Sequence, residues 1–188
     1  TCCLVCDKNV MKSKMPDELK HRCHQCRKPA PATNKEAVER LREWLDKGEA
    51  WAQTMMAEDY RDGKNGLKQS YVMAAMLFEK AVAQGGPDAM YYLALLYEDG
   101  RGVVQSFQKA AELYTMAVEQ GYVVAIINLG LLYDHGKGVG QSSKKAAECY
   151  AIAAKTGHTD AMFNLALSYE DGRGVVQSFE KAAELYTM

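Results

Sequence analysis

Four of the six cysteines, Cys3, Cys6, Cys23 and Cys26, form a C-x2-C-x16-C-x2-C pattern near the start of the 188-residue chain. Each C-x2-C turn presents two thiolates to one side, and two such turns complete a tetrahedron around Zn2+. The pattern predicts a structural zinc held by those four residues, with Cys2, His21 and His24 as alternative ligands. The first 26 residues have few apolar side chains (Leu4, Val5, Val10, Met11, Met15, Leu19). Structural zinc, worth about 10–16 kcal/mol, supplies what such a segment cannot obtain by packing. A metal-free remnant is the competing reading. Cysteines gathered at one end, with none paired across the rest of the chain, fit a reducing compartment, so a cytoplasmic or nuclear location is expected. The sixth, Cys149, occupies a position that is Leu113 and Leu185 elsewhere in the chain and reads as a small core residue.

A second set of residues imitates an acyl-transfer site. Ser106-x-x-Lys109, Ser142-x-x-Lys145 and Ser178-x-x-Lys181 match the S-x-x-K nucleophile signature. The match recurs at helix starts and lacks S-D-N or K-T-G partners. N-cap serines with solvent-facing lysines account for it. His135 stands alone in a loop, and the Glu98-Asp99 and Glu170-Asp171 pairs read as solvated helix ends. No catalytic residue is assigned, and no intrinsic catalysis is expected of this chain.

The elements that carry these residues repeat. Tyr97–Met116 returns at Tyr169–Met188 with one change, Gln108 to Glu180, and a looser copy starts at Tyr133. The period is 36 residues, marked by Ala89, Ala125 and Ala161 and by Gly100, Gly136 and Gly172. An upstream copy (Gly48, Ala52, Tyr60, Gly63, Ala74, Ala75, Phe78) is one residue longer in its loop. The organisation predicted is a Cys-rich segment over 1–30, a linker and capping helix over 31–47, and repeats over 48–84, 85–120, 121–156 and 157–188. In each repeat a first helix bears an apolar face (Ala89, Leu93, Leu96, Tyr97), a glycine ends it, and a serine caps a second helix. The capping helix starts at Thr33 or Asn34 and carries Ala37, Val38, Leu41, Trp44 and Leu45 as its stripe. No pair buries its stripe alone, so neighbours must stack.

Charge adds little. Residues 1–47 carry +4 and the remainder −5, summing to −1. No basic run argues for nucleic acid, and no stretch of 18 apolar residues argues for a membrane span.

The repeat resembles the Sel1-like family, on Ala125, Leu129, Gly130, Tyr133, Gly136, Gly138, Val139, Lys145, Ala146, Tyr150, Ala153, Ala154 and Gly157. The resemblance implies an all-α fold, an α/α superhelical solenoid akin to tetratricopeptide arrays. It also implies a protein-interaction scaffold. The head, through Cys23-His24-Gln25-Cys26-Arg27-Lys28-Pro29, resembles the closing half of a RING-type finger, which implies the alternative of a substrate-binding part of a ubiquitin ligase. Seven Cys/His candidates stand where a RING uses eight ligands.

Protein partners are expected on the wall lined by first helices. Positions that differ between equivalent copies are the candidate contacts: Tyr91, Ile127 and Phe163, and their neighbours Tyr92, Asn128 and Asn164. Packing between repeats explains them equally well. The chain stops inside a second helix and reads as a fragment, so Leu185 and Tyr186 are expected to be uncovered and to favour self-association.

Overall fold

A computed structural model of the chain describes residues 31–187. The candidate zinc ligands Cys2, Cys3, Cys6, His21, Cys23, His24 and Cys26 lie outside the described residues. The regular structure described is helical throughout, so the chain is all-α as expected. It divides into two compact units, Thr1–Ala81 and Val82–Met188.

In the first unit, α1 (Asn34–Leu45) starts at Thr33, whose Oγ1 accepts from the Glu36 N–H at 3.2 Å, while Glu36 accepts from the Ala32 N–H at 2.9 Å. The first bond satisfies an amide that the helix itself leaves open, and the second ties the residue before the cap to the first turn. Ala37, Val38 and Leu41 are buried, and α1 packs on α2 (Ala50–Asp62), with the Trp44 and Trp51 rings 5.6 Å apart. The extra loop residue is absorbed by Asn65 at φ 55°, whose side chain donates to Asp59 at 2.9 Å. Asparagine is among the few side chains that accept this left-handed backbone. The Ser70 N–H then bonds the Tyr60 carbonyl at 2.8 Å and α3 (Tyr71–Val82) begins.

The second unit holds three helix pairs: α4 (Pro87–Asp99) with α5 (Phe107–Glu119), α6 (Val124–His135) with α7 (Ser143–Ala154), and α8 (Thr159–Asp171) with α9 (Phe179–Thr187). Each helix packs on the next in chain order. First helices end at Gly100, Gly136 and Gly172, with φ between 66° and 68°, a conformation that costs a side chain about 1–2 kcal/mol. Across each loop Gln105, Gln141 or Gln177 donates its amide to the Glu98, Asp134 or Glu170 carbonyl at 2.8 Å. Ser106, Ser142 and Ser178 each accept from the N–H three residues on at 3.3 Å, as N-caps should.

Small residues set how closely the pairs approach. Ala89, Ala125 and Ala161 are fully buried, and so are Ala117 and Ala153. The loop glycines go further. A Cβ on Gly138 would lie 2.2 Å from the Phe107 carbonyl carbon, and one on Gly174 would lie 2.1 Å from the Ser143 oxygen. Each loop therefore rests on the backbone that opens the preceding repeat's second helix. Gly138→Ala and Gly174→Ala should each cost about 2–4 kcal/mol, from overpacking added to backbone strain. Gly121→Ala and Gly157→Ala, whose surroundings are open, should cost about 1–2 kcal/mol from strain alone. Urea unfolding of the four variants checks this, and equal losses would contradict the docking argument.

Candidate functional site

The side chains that join one repeat to the next centre on the second-helix tyrosines. Tyr114 is fully buried, and its hydroxyl donates to the Glu98 carboxylate at 2.8 Å and accepts from the Asn128 amide at 2.9 Å. The chain of bonds runs from α4 through α5 to α6, so it crosses the boundary between repeats. Tyr91 packs on Tyr92, Tyr114 and Tyr122, with ring centroids 5.2–5.9 Å apart. Burial raises the hydroxyls of Tyr114 and Tyr122 above the usual phenol range, so both stay neutral.

The next repeat breaks the pattern. Tyr150 is 2 % exposed, yet its hydroxyl has no hydrogen-bond partner among the described residues. Two small changes account for it. Asp134, one methylene shorter than Glu98 or Glu170, turns instead to Arg173 at 3.1 Å. Gly130 replaces Ala94 and Ala166, and the Tyr150 ring moves into the vacated space, 2.7 Å from where a Cβ would stand. The last repeat restores the bond, Tyr186 donating to Glu170 at 3.0 Å.

The residues with apparent chemistry take structural roles. Lys109, Lys145 and Lys181 place their ammonium groups 4.9, 4.9 and 5.1 Å from the Tyr97, Tyr133 and Tyr169 ring centres. With each serine capping its helix, both members of the S-x-x-K match are accounted for locally. His135 is not in a loop: it is the last residue of α6, with Nδ1 2.8 Å from the Leu131 carbonyl of its own helix. Glu98 and Glu170 are tyrosine acceptors rather than merely solvated ends. Burial pushes the Cys149 thiol up to about 11, which keeps it protonated at neutral pH and a poor nucleophile. Among the described residues no group of three or more His, Cys, Asp or Glu is arranged to hold a metal.

One side of the first helices, half-buried to exposed along its length, is the candidate contact surface. Spacings of four, three and four residues put Asp88, Tyr92, Leu95 and Asp99 on one side of α4. The same side carries Val124, Asn128, Leu131 and His135 on α6, and Asp160, Asn164, Leu167 and Asp171 on α8. All twelve are half-buried or exposed. Tyr92, Asn128 and Asn164 therefore lie on this face. Their neighbours vary more: Ile127 is buried with Ile126, Ala153 and Ala161, Tyr91 sits in the tyrosine cluster, and Phe163 is 55 % exposed beside Tyr186. The leucines at 95, 131 and 167 were not singled out from the sequence. Their signal was an invariant apolar residue beside the varying polar one.

The Sel1 repeat family model matches residues 52–86, 87–122, 123–158 and 159–188. The chain belongs to the Sel1 repeat family. Sel1 repeats mediate protein–protein interaction, and the fold is of a scaffold type. A solved Sel1 repeat protein from Oxalobacter formigenes is 29 % identical over 82 % of this chain and 64 % of its own, with a TM-score of 0.75. The c5321 protein of uropathogenic Escherichia coli, described as a protective antigen displaying an SLR fold, is 30 % identical, with a TM-score of 0.76. That match covers 80 % of this chain and 32 % of the antigen, so both proteins extend well beyond the part shared here. The cysteine rich protein B of Helicobacter pylori shares the fold, with a TM-score of 0.53 and 22 % identity over 68 % of this chain and 91 % of its own. No curated protein matches the sequence.

The tyrosine series gives a direct test. Tyr114→Phe should destabilise by about 1–3 kcal/mol, because Glu98 and Asn128 lose their shared partner. Tyr150→Phe should be neutral or stabilising by up to about 1 kcal/mol, because it removes an unpaired buried hydroxyl. Thermal unfolding of the two variants side by side decides the matter, and equal destabilisation would contradict the reading.

Proposed function

We propose that this Sel1 repeat chain is an adaptor that holds a protein segment across the first helices of its second unit. One observation carries the reading. Leu95, Leu131 and Leu167 recur at one register position of the first helices, each half-buried, Leu131 resting on the cluster of Ala146, Ala147, Tyr150 and Leu165 with part of its surface left open. Beside them, Asn128 spends its N–H on Tyr114, which leaves its carbonyl oxygen to accept from an incoming backbone N–H. Apolar contact along the leucine row would supply affinity, and the asparagines would fix the register of the bound segment. Among the described residues no helix is long and apolar enough to cross a membrane, and the partner proposed is another protein, not nucleic acid.

Selection of a displayed peptide library on the full chain tests this. The peptides recovered should be apolar at spaced positions. Val124→Asp, at an exposed position on the same side, should weaken their binding by roughly tenfold or more, with the helical circular dichroism signal retained. Peptides that bind the Val124→Asp protein unchanged would overturn the proposal.

A second reading, the substrate-binding part of a RING-type ubiquitin ligase inside the cell, is favoured by Cys23-His24-Gln25-Cys26-Arg27-Lys28-Pro29. On the proposed C-x2-C pair of turns, Cys3, Cys6, Cys23 and Cys26 hold a single zinc. Metal analysis of purified chain separates the cases: one zinc per chain for this finger, two for a RING, none for a remnant. Self-association through the last repeat is also proposed, supported by the exposure of Phe179 (67 %) and Tyr186 (46 %).

A further inference from the structure

Three positions on the outer face of the second helices are polar or charged in the second unit. They are Gln108, Lys144 and Glu180; Lys109, Lys145 and Lys181; and Glu112, Glu148 and Glu184, all exposed. On α3 the same three positions are Val72, Met73 and Met76, exposed by 56 %, 40 % and 50 %. Spacings of one, three and four residues make them one patch on the helix. The repeat has a working solution for this face, a solvated row of charges, and α3 alone departs from it. An apolar patch at a place where its sisters are charged marks a covered surface.

We propose that the cover is this chain's own Cys-rich segment, residues 1–30. The apolar face occurs only in the repeat nearest that segment. The segment joins the described residues at Pro31, beside α1, which packs on α2, and the α2 end is bonded to the start of α3. Thirty residues of chain have a greatest reach of about 100 Å, well beyond three helices side by side at about 10 Å each. The few apolar residues of the segment, Leu4, Val5, Val10, Met11, Met15 and Leu19, cannot form a core of their own and so gain from a partner surface. Methionines on both sides suit a contact that must adapt its shape. Tethering sets an effective concentration in the millimolar range, which favours this occupant over a second copy at ordinary concentrations.

The test uses the full, zinc-supplemented chain and a triple variant, Val72→Lys, Met73→Lys and Met76→Glu, which installs side-chain types its sister repeats use at these positions. Protease cleavage within residues 1–30 should accelerate by roughly tenfold in the variant, as it follows the uncovered population, while the melting of the repeats is retained. In the unaltered chain, amine cross-linking should join Lys8, Lys12 or Lys14 to Lys68 or Lys80. Unchanged cleavage together with absent cross-links would overturn the proposal. So would a concentration-dependent dimer of the unaltered chain that the variant abolishes, because the cover would then be a second copy. The cross-linking arm stands even if the variant fails to fold.

Discussion

Close approach of backbone to backbone is the constraint from which the rest of the repeat array follows. Gly138 and Gly174 touch the main chain that opens the preceding second helix, at distances no side chain could share. Fully buried alanines bring the helices together at the same joints. Once backbones lie this close, the large side chains have only a few places to go, and the tyrosines of the second helices fill them. A longer residue at either glycine would move a whole repeat, because interiors packed to crystal density transmit displacement instead of absorbing it.

That arrangement gives structural roles to residues that look reactive. The serines and lysines of the S-x-x-K match face different structural tasks, one closing a helix end and the other lying over a tyrosine ring. The cysteine at 149 is held protonated by its surroundings. Carboxylates at the ends of the first helices hold tyrosine hydroxyls or loop arginines. The function proposed belongs to the surface. In the second unit it is a half-buried row of leucines with polar side chains beside it, and in the first it is an apolar outer face where the other repeats have polar or charged residues. Both surfaces stand out only against the repeat's own consensus, which serves as an internal control.

Much of the fold was legible in the letters. Gly100, Gly136 and Gly172 announced helix ends because few other residues take the left-handed backbone, and Ser106, Ser142 and Ser178 announced helix starts because their hydroxyls satisfy open amides. Both are local effects. The hydrogen bond from Tyr114 to Glu98 and on to Asn128 was not legible, because it depends on where three helices sit. His135 stands alone in the sequence, yet it is the last residue of its helix as Asp99 and Asp171 are of theirs. Ile127 and Phe163 hold one register position, yet one is buried and the other largely exposed. Equivalence in sequence does not fix how much of a side chain the neighbouring repeat covers.

The sequence by itself determined the period, the helix pairs and their punctuation, and with them membership of a scaffold family. Short-range rules decide those features: backbone freedom at glycine, capping at serine and the spacing of alanines. Only the tertiary structure decided which tyrosine hydroxyls are paired, which leucines are half-buried and which outer face has lost its charges. A missing methyl at Gly130 and a missing methylene at Asp134 look minor in one dimension. Packed against Tyr150, they leave a buried hydroxyl unpaired, because the hydrogen bond depends on differences of an ångström between elements that the chain sequence does not place.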